Sequence, residues 1–236
     1  MFLRSLLFSV LLLTACASSH GFHRDEIHAT LVGAKPETDD AEIAKAFAQR
    51  PQLPKPFRIG VYFREPEAKE GTPLWRWTAQ DKEKVLTGAR KLQDAHEVSQ
   101  VFELASSLTR SGDMRSLRLA AAKHGADALL IVSGTNETDS YNNKLAWTYV
   151  GLLPALFVHG NETDVLFVTR ATLWDVRNEY LYLSAEAEGE RKESTSVAGL
   201  DEKKVVLAAK DESLAKLHEE LEKMSQGLVS ERQASR

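Results

Sequence analysis

The chain has 236 residues, 43% hydrophobic and 27% charged, with a formal net charge of −4. That is ordinary globular composition, long enough for one domain with a real core. The mild acidity argues against a nucleic-acid partner, since no basic face is evident, and the single cysteine excludes an internal disulfide, so the core alone must hold the fold.

That cysteine stands near the start, in "SLLFSVLLLTACAS", residues 5–18. Arg4 precedes an apolar run from Leu6 to Leu13, too short for a bilayer span, which needs ~20 apolar residues. A basic start, a short apolar core and small residues at the exit fit a secretory signal. The exit Leu13-Thr14-Ala15-Cys16 resembles the bacterial lipobox. The resemblance implies cleavage after Ala15, with diacylglyceryl on the Cys16 sulfur and an acylated new amino terminus. Two or more chains give stable anchoring where one does not. Loss of Arg4 with the signal would take the charge from −4 to −5. The residue after the cysteine is Ala17, not aspartate, and by enterobacterial sorting practice this implies the outer rather than the inner membrane. The competing reading is an ordinary signal peptide, or a buried cytosolic cysteine.

Residues 16–53 read as a lipidated tether. A short helix is expected from Thr38, with Ile43, Ala46 and Phe47 on one face, and the prolines of "RPQLPKP", residues 50–56, end it. A single domain over 54–236 follows. In "FRIGVYF" Phe57, Ile59, Val61 and Phe63 alternate as in a strand. Thr78 with Asp81 has the form of a capping box before a helix carrying Val85, Ala89 and Leu92. A strand near Val98–Leu104 follows, then a helix capped by Ser111 or Asp113 with Met114, Leu117 and Ala121 on one face, ended at Gly125. "DALLIV", residues 127–132, reads as a strand buried on both faces.

Beyond an insertion, "DVLFVTRATLWDV", the turn "RNE" and "YLYLSAEAEGER" read as a hairpin; in its return strand Leu181, Leu183, Ala185 and Ala187 alternate with Ser184, Glu186 and Glu188, one face buried and the other wet. Two copies of "NETD", at 136–139 and 161–164, read as polar turns bracketing the insertion. A helix over about 211–228 carries Leu214, Leu217, Leu221, Met224 and Leu228. Packing on the domain is preferred for this stripe over a partner helix, since two heptads are short for a coiled coil. The fold class is therefore α/β: a mixed sheet of about five strands with packed helices, in the order β-α-β-α-β-(insertion)-β-β-α.

"LRLAAAKHGADALLIVSG" followed by "VTRATLWDVRNEYLYLSAEAEGE" resembles a group of bacterial lipoproteins. The group includes the penicillin-binding-protein activators, the curli-secretion lipoprotein and the amino-terminal domain of the Tol translocation protein, and the rhombotarget lipoprotein family is the nearest suggestion. The likeness spans roughly residues 57–192. It implies a lipid-anchored binding or scaffolding module and no catalytic residues. The tail "GLVSERQASR" departs from the rhombotarget pattern of a glycine-rich site, an apolar segment and basic residues, so that processing route is not expected.

Chemistry-bearing motifs are sparse. "HEELE" at 218 lacks the second histidine of a zinc peptidase, and no Gly-x-Ser-x-Gly elbow or glycine-rich phosphate loop occurs. His20, His23 and His28 with Asp25 and Glu26 fall on the tether, where nothing would orient metal ligands, so no metal or other cofactor is expected. His124 reads as a helix carboxy-terminal partner. The acids of the "NETD" copies are too few for calcium.

The most apolar stretch of the mature chain is "LAWTYVGLLPALFVHG", residues 145–160. It reads either as core beneath the sheet or as an exposed contact patch of Trp147, Tyr149, Leu152, Leu153, Leu156 and Phe157. The expected function is a non-catalytic binding or scaffolding lipoprotein, anchored in the bilayer through Cys16 at the periplasmic face of the outer membrane. Its partner would be an envelope protein or a second copy. The alternative is an envelope enzyme acting on peptidoglycan or lipid with a dispersed site.

Overall fold

A computed structural model describes residues 21–32, 39–66, 75–94, 97–108, 112–142, 161–195 and 201–234. Their elements are α1 (Arg24–Val32), α2 (Asp40–Ala48), β1 (Phe57–Phe63), α3 (Ala79–Asp94), β2 (Val98–Leu104), α4 (Met114–Lys123), β3 (Ala128–Asn142), β4 (Asn161–Asp175), β5 (Leu181–Thr195) and α5 (Glu202–Ala234). One five-stranded sheet has the order β2-β1-β3-β4-β5. β1 pairs in parallel with β2 and β3, and β3, β4 and β5 pair antiparallel. The fold is the mixed α/β sheet that the sequence predicts.

Topology follows from handedness. From β1 the chain crosses through α3 to β2 on one side, then returns through α4 to β3 on the other. Right-handed crossovers in opposite directions place the two helices on opposite faces. Three layers result. On one face α3 and α5 cover Ile59, Val61, Phe63, Leu130, Val132, Val165, Phe167 and Ala187. On the other, α4 covers Tyr62, Leu104, Leu129, Ile131 and Val176. Beside α4, α1 sets Ile27 against Leu166 and Val168.

Local signals hold at the predicted positions. The Thr78 amide donates to Asp81 Oδ2 at 2.8 Å and the Asp81 amide to Thr78 Oγ1 at 3.2 Å, a reciprocal box at the start of α3. Asp113 caps α4 through the Ser116 amide at 2.9 Å. Gly125 follows α4 at φ 73°, where a side chain would be strained. His124 Nδ1 lies 2.9 Å from the Ala120 carbonyl oxygen, as its helix-end position predicts.

Three expectations change. β3 does not stop at 132; it pairs with β4 from Ala128↔Asp175 to Asn142↔Asn161. Both "NETD" copies therefore lie in strands rather than turns. There the ladder satisfies the backbone whichever side chains it carries, so apolar alternation is not needed, and Thr163 is fully buried. α5 also begins at Glu202, ahead of the expected start, and buries Val205, Val206, Ala209, Leu214 and Leu217. Its stripe packs on the sheet through Leu221; the side chains of Met224 and Leu228 lie outside the described residues.

α5 approaches β5 closely because the sheet offers it small residues: Ala185, Ala187 and Gly189. Ser213 Oγ donates to the Ala187 carbonyl at 2.8 Å and lies 2.7 Å from Thr169 Oγ1. A Cβ at Gly189 would overlap the Ala209 carbonyl oxygen and come within 2.6 Å of the Ser213 nitrogen. The obstructing atoms are helix backbone, which cannot step aside alone. Gly189→Ala is therefore expected to destabilise the protein by about 1–3 kcal/mol, read from the urea midpoint at unchanged m-value.

Candidate functional site

Cys16 lies outside the described residues, as does the candidate patch of Trp147, Tyr149, Leu152, Leu153, Leu156 and Phe157. The structure does describe the two strand ends that lead into and out of the patch segment. These are Asn142 and Asn161, the last pair of the long β3–β4 ladder.

The described part of the expected tether is engaged with the sheet. Residues 21–32 lie across the outer face of β3, β4 and β5. The Gly21 amide donates to Asp139 Oδ2 at 3.3 Å. The His23 amide donates to Glu137 Oε2 at 2.8 Å, and its Nδ1 lies 2.9 Å from Glu137 Oε1. Arg24 Nη2 reaches Glu188 at 3.1 Å and Glu190 at 2.5 Å. His28 Nδ1 lies 3.2 Å from Glu186 Oε2. Between these charges, Ile27 is buried against Leu166 and Val168, with Phe22 and Leu31 packed alongside. An acidic channel with an apolar floor thus holds a short helix that carries basic and apolar residues.

The residues weighed as metal ligands on the tether separate accordingly. His23 and His28 each face a different strand, and His20 lies outside the described residues. Among the described residues, no group of three or more histidine, cysteine or acidic side chains could hold a metal ion.

Sequence reasoning missed the channel. Its walls are Glu137 and Asp139 on β3 and Glu186, Glu188 and Glu190 on β5. The alternation in "SAEAEGE" marks a polar strand face, but nothing local names the helix that covers it.

The expected helix after Thr38 is present as α2, capped by Asp39 through the Glu42 amide at 2.8 Å. Its Ile43 and Phe47 are 46% and 80% exposed. The segment that follows is tied to the opposite end of the sheet. Buried Asp175 accepts from Tyr182 Oη at 2.9 Å and from the Gln52 amide at 3.2 Å, and Asn178 Nδ2 donates to the Arg50 carbonyl at 2.7 Å. Burial and the bond to Asp175 raise the Tyr182 phenol above its usual value. These contacts fix chain position. No helix among the described residues is long and apolar enough to cross a membrane.

The bond and the charge of Glu137, helped by Glu26 and Asp139 against slight desolvation, raise the His23 imidazole above its ordinary 6.5. A raised folded-state value stabilises docking fully below pH 6.5, and that share is lost as pH rises through the folded value. Amide hydrogen exchange over residues 24–32, corrected for intrinsic rate, is expected to be slower at pH 6 than at pH 8. His23→Ala should flatten the difference; an unchanged pH dependence in that variant would contradict the assignment.

No family model matches the chain, and no curated protein matches it. Solved structures do. The chain is similar to a neuraminyllactose-binding hemagglutinin homolog from Helicobacter pylori at 13% identity and a TM-score of 0.40, covering 80% of this chain and 96% of that one. It is similar to lipoprotein GNA1162 from Neisseria meningitidis at 16% identity and a TM-score of 0.30, covering 68% and 99%. It is also similar to the LpoB C-terminal domain from Salmonella enterica at 11% identity and a TM-score of 0.31, covering 63% and 90%.

Proposed function

We propose that the chain is a bacterial envelope lipoprotein, anchored through acyl chains on Cys16, whose α/β domain is a non-catalytic binding or scaffolding module at the periplasmic face of the outer membrane. The observation that carries the reading is the Leu13-Thr14-Ala15-Cys16 exit behind a short apolar run. It is supported by the use the fold makes of its buried charges: Asp175 ties the segment before β1 to the sheet, and Lys210 and Asp81 tie helix to helix. The contact element is the apolar segment 145–160, which joins β3 to β4 and carries Trp147, Tyr149, Leu152, Leu153, Leu156 and Phe157. Its partner is an envelope protein or a second copy of the chain.

The anchor is tested by metabolic labelling with a clickable palmitate analogue. The native protein is expected to be marked and Cys16→Ala unmarked; label on the variant refutes the anchor. The contact element is tested by Leu153→Ser combined with Phe157→Ser. The thermal midpoint should hardly move while retention of the partner in detergent-solubilised envelopes falls. A loss of roughly 3–5 kcal/mol of stability, the usual result of truncating buried large side chains, would place these residues in the core.

A further inference from the structure

We propose that the docked helix α1 orients the domain on the bilayer, with the β3–β4 hairpin end facing the lipid surface. The inference rests on the acylation of Cys16. It adds a direction to the anchor, and the direction comes from α1.

A free tether over 16–53 would let the domain turn any face to the membrane. The structure removes that freedom. Gly21 and His23 are bonded to Asp139 and Glu137 near the far end of β3. Arg24 pairs with Glu188 and Glu190, and His28 with Glu186, so α1 runs away from the hairpin end as the chain proceeds. Its amino terminus, with Gly21 and His23, therefore points toward the hairpin end. Cys16 precedes Gly21 by about five residues, which span at most ~18 Å fully extended.

Distances along β3 decide which end that reach serves. Asp139 lies about three residues, roughly 10 Å, from the final pair Asn142↔Asn161. The opposite end, Ala128↔Asp175, lies about eleven residues away, roughly 36 Å. A cysteine held at the bilayer surface can thus sit level with the hairpin end but falls well short of the other. The sequence joining the strands there is rich in Trp, Tyr, Leu and Phe, a composition suited to the membrane interface.

The test uses the full-length lipidated protein in vesicles of phosphatidylethanolamine and phosphatidylglycerol doped with a headgroup-attached quencher. Acylation blocks the Cys16 thiol, so an introduced cysteine is the only site for a fluorophore. One is placed near the hairpin by Glu193→Cys and one at the opposite end by Leu181→Cys. Quenching is expected to be several-fold greater at 193 than at 181. Arg24→Glu combined with His23→Glu, two exposed charge reversals facing Glu137, Glu188 and Glu190, should release α1 and bring the two values together without lowering the thermal midpoint of the domain. Mass spectrometry of the same preparation reads the acyl chains. Their absence refutes the anchor and the orientation together. An acylated protein quenched equally at both positions refutes the orientation alone, as does a difference that survives the charge reversals.

Discussion

One buried cation organises the helical layer on the α5 side. Lys210 of α5 is almost wholly enclosed; its Nζ donates to Asp81 Oδ2 at 2.6 Å and to the Arg76 carbonyl at 3.0 Å, and it lies 6.0 Å from the Trp75 ring centroid. Asp81 is also the third residue of α3 and the acid of its capping box. Burial pushes the Asp81 carboxyl up, but the bonds from Lys210 and Thr78 and the Lys210 charge outweigh it and hold the group below its usual value. A single interaction thereby joins the start of α3, the segment leading into it and the first third of α5. Beside it run Phe63, Trp77, Trp75 and Phe167, with ring centroids 4.9–5.6 Å apart in successive pairs. A buried pair of this kind contributes little net stability against an apolar replacement, yet losing one partner costs about 3–5 kcal/mol. Its effect is to select position. With Lys210 seated, Ala209 and Ser213 fall over Gly189 and Ala187.

α1 is held on different terms. Its charged contacts are all partly exposed to solvent, and such pairs are each worth about 0–1 kcal/mol. One buried isoleucine adds roughly 1.5–3 kcal/mol. The strap is thus a low-stability unit on a stable domain, able to open without unfolding the sheet.

The sequence was legible wherever a signal was local. Thr78, Asp81, Asp113 and Gly125 mark helix ends through bonds or backbone angles of their own, and "DALLIV" reads as a strand covered on both sides. The run from 133 to 142 was not legible, because a strand there is stabilised by its partner's backbone rather than by apolar alternation. Nor was the beginning of α5, where Lys203, Lys204 and Lys210 interrupt the apolar stripe and only the distant Asp81 explains why the last is buried. The channel for α1 is the extreme case. His23 meets Glu137 and Arg24 meets Glu188, groups more than a hundred residues away in sequence, so neither half identifies the other.

Among the described residues β5 ends the sheet, and its fifteen residues give it a row of backbone donors and acceptors along one side. Such a margin is a template on which another strand can add. Its side chains oppose that for the most abundant candidate, an identical strand. If two copies met antiparallel about Glu188, that residue would face itself and each Glu186 would face a Glu190, all on one surface of the enlarged sheet. Like charges directly opposite are destabilising. The same acids that cradle the helix thus discourage growth of the sheet from molecule to molecule.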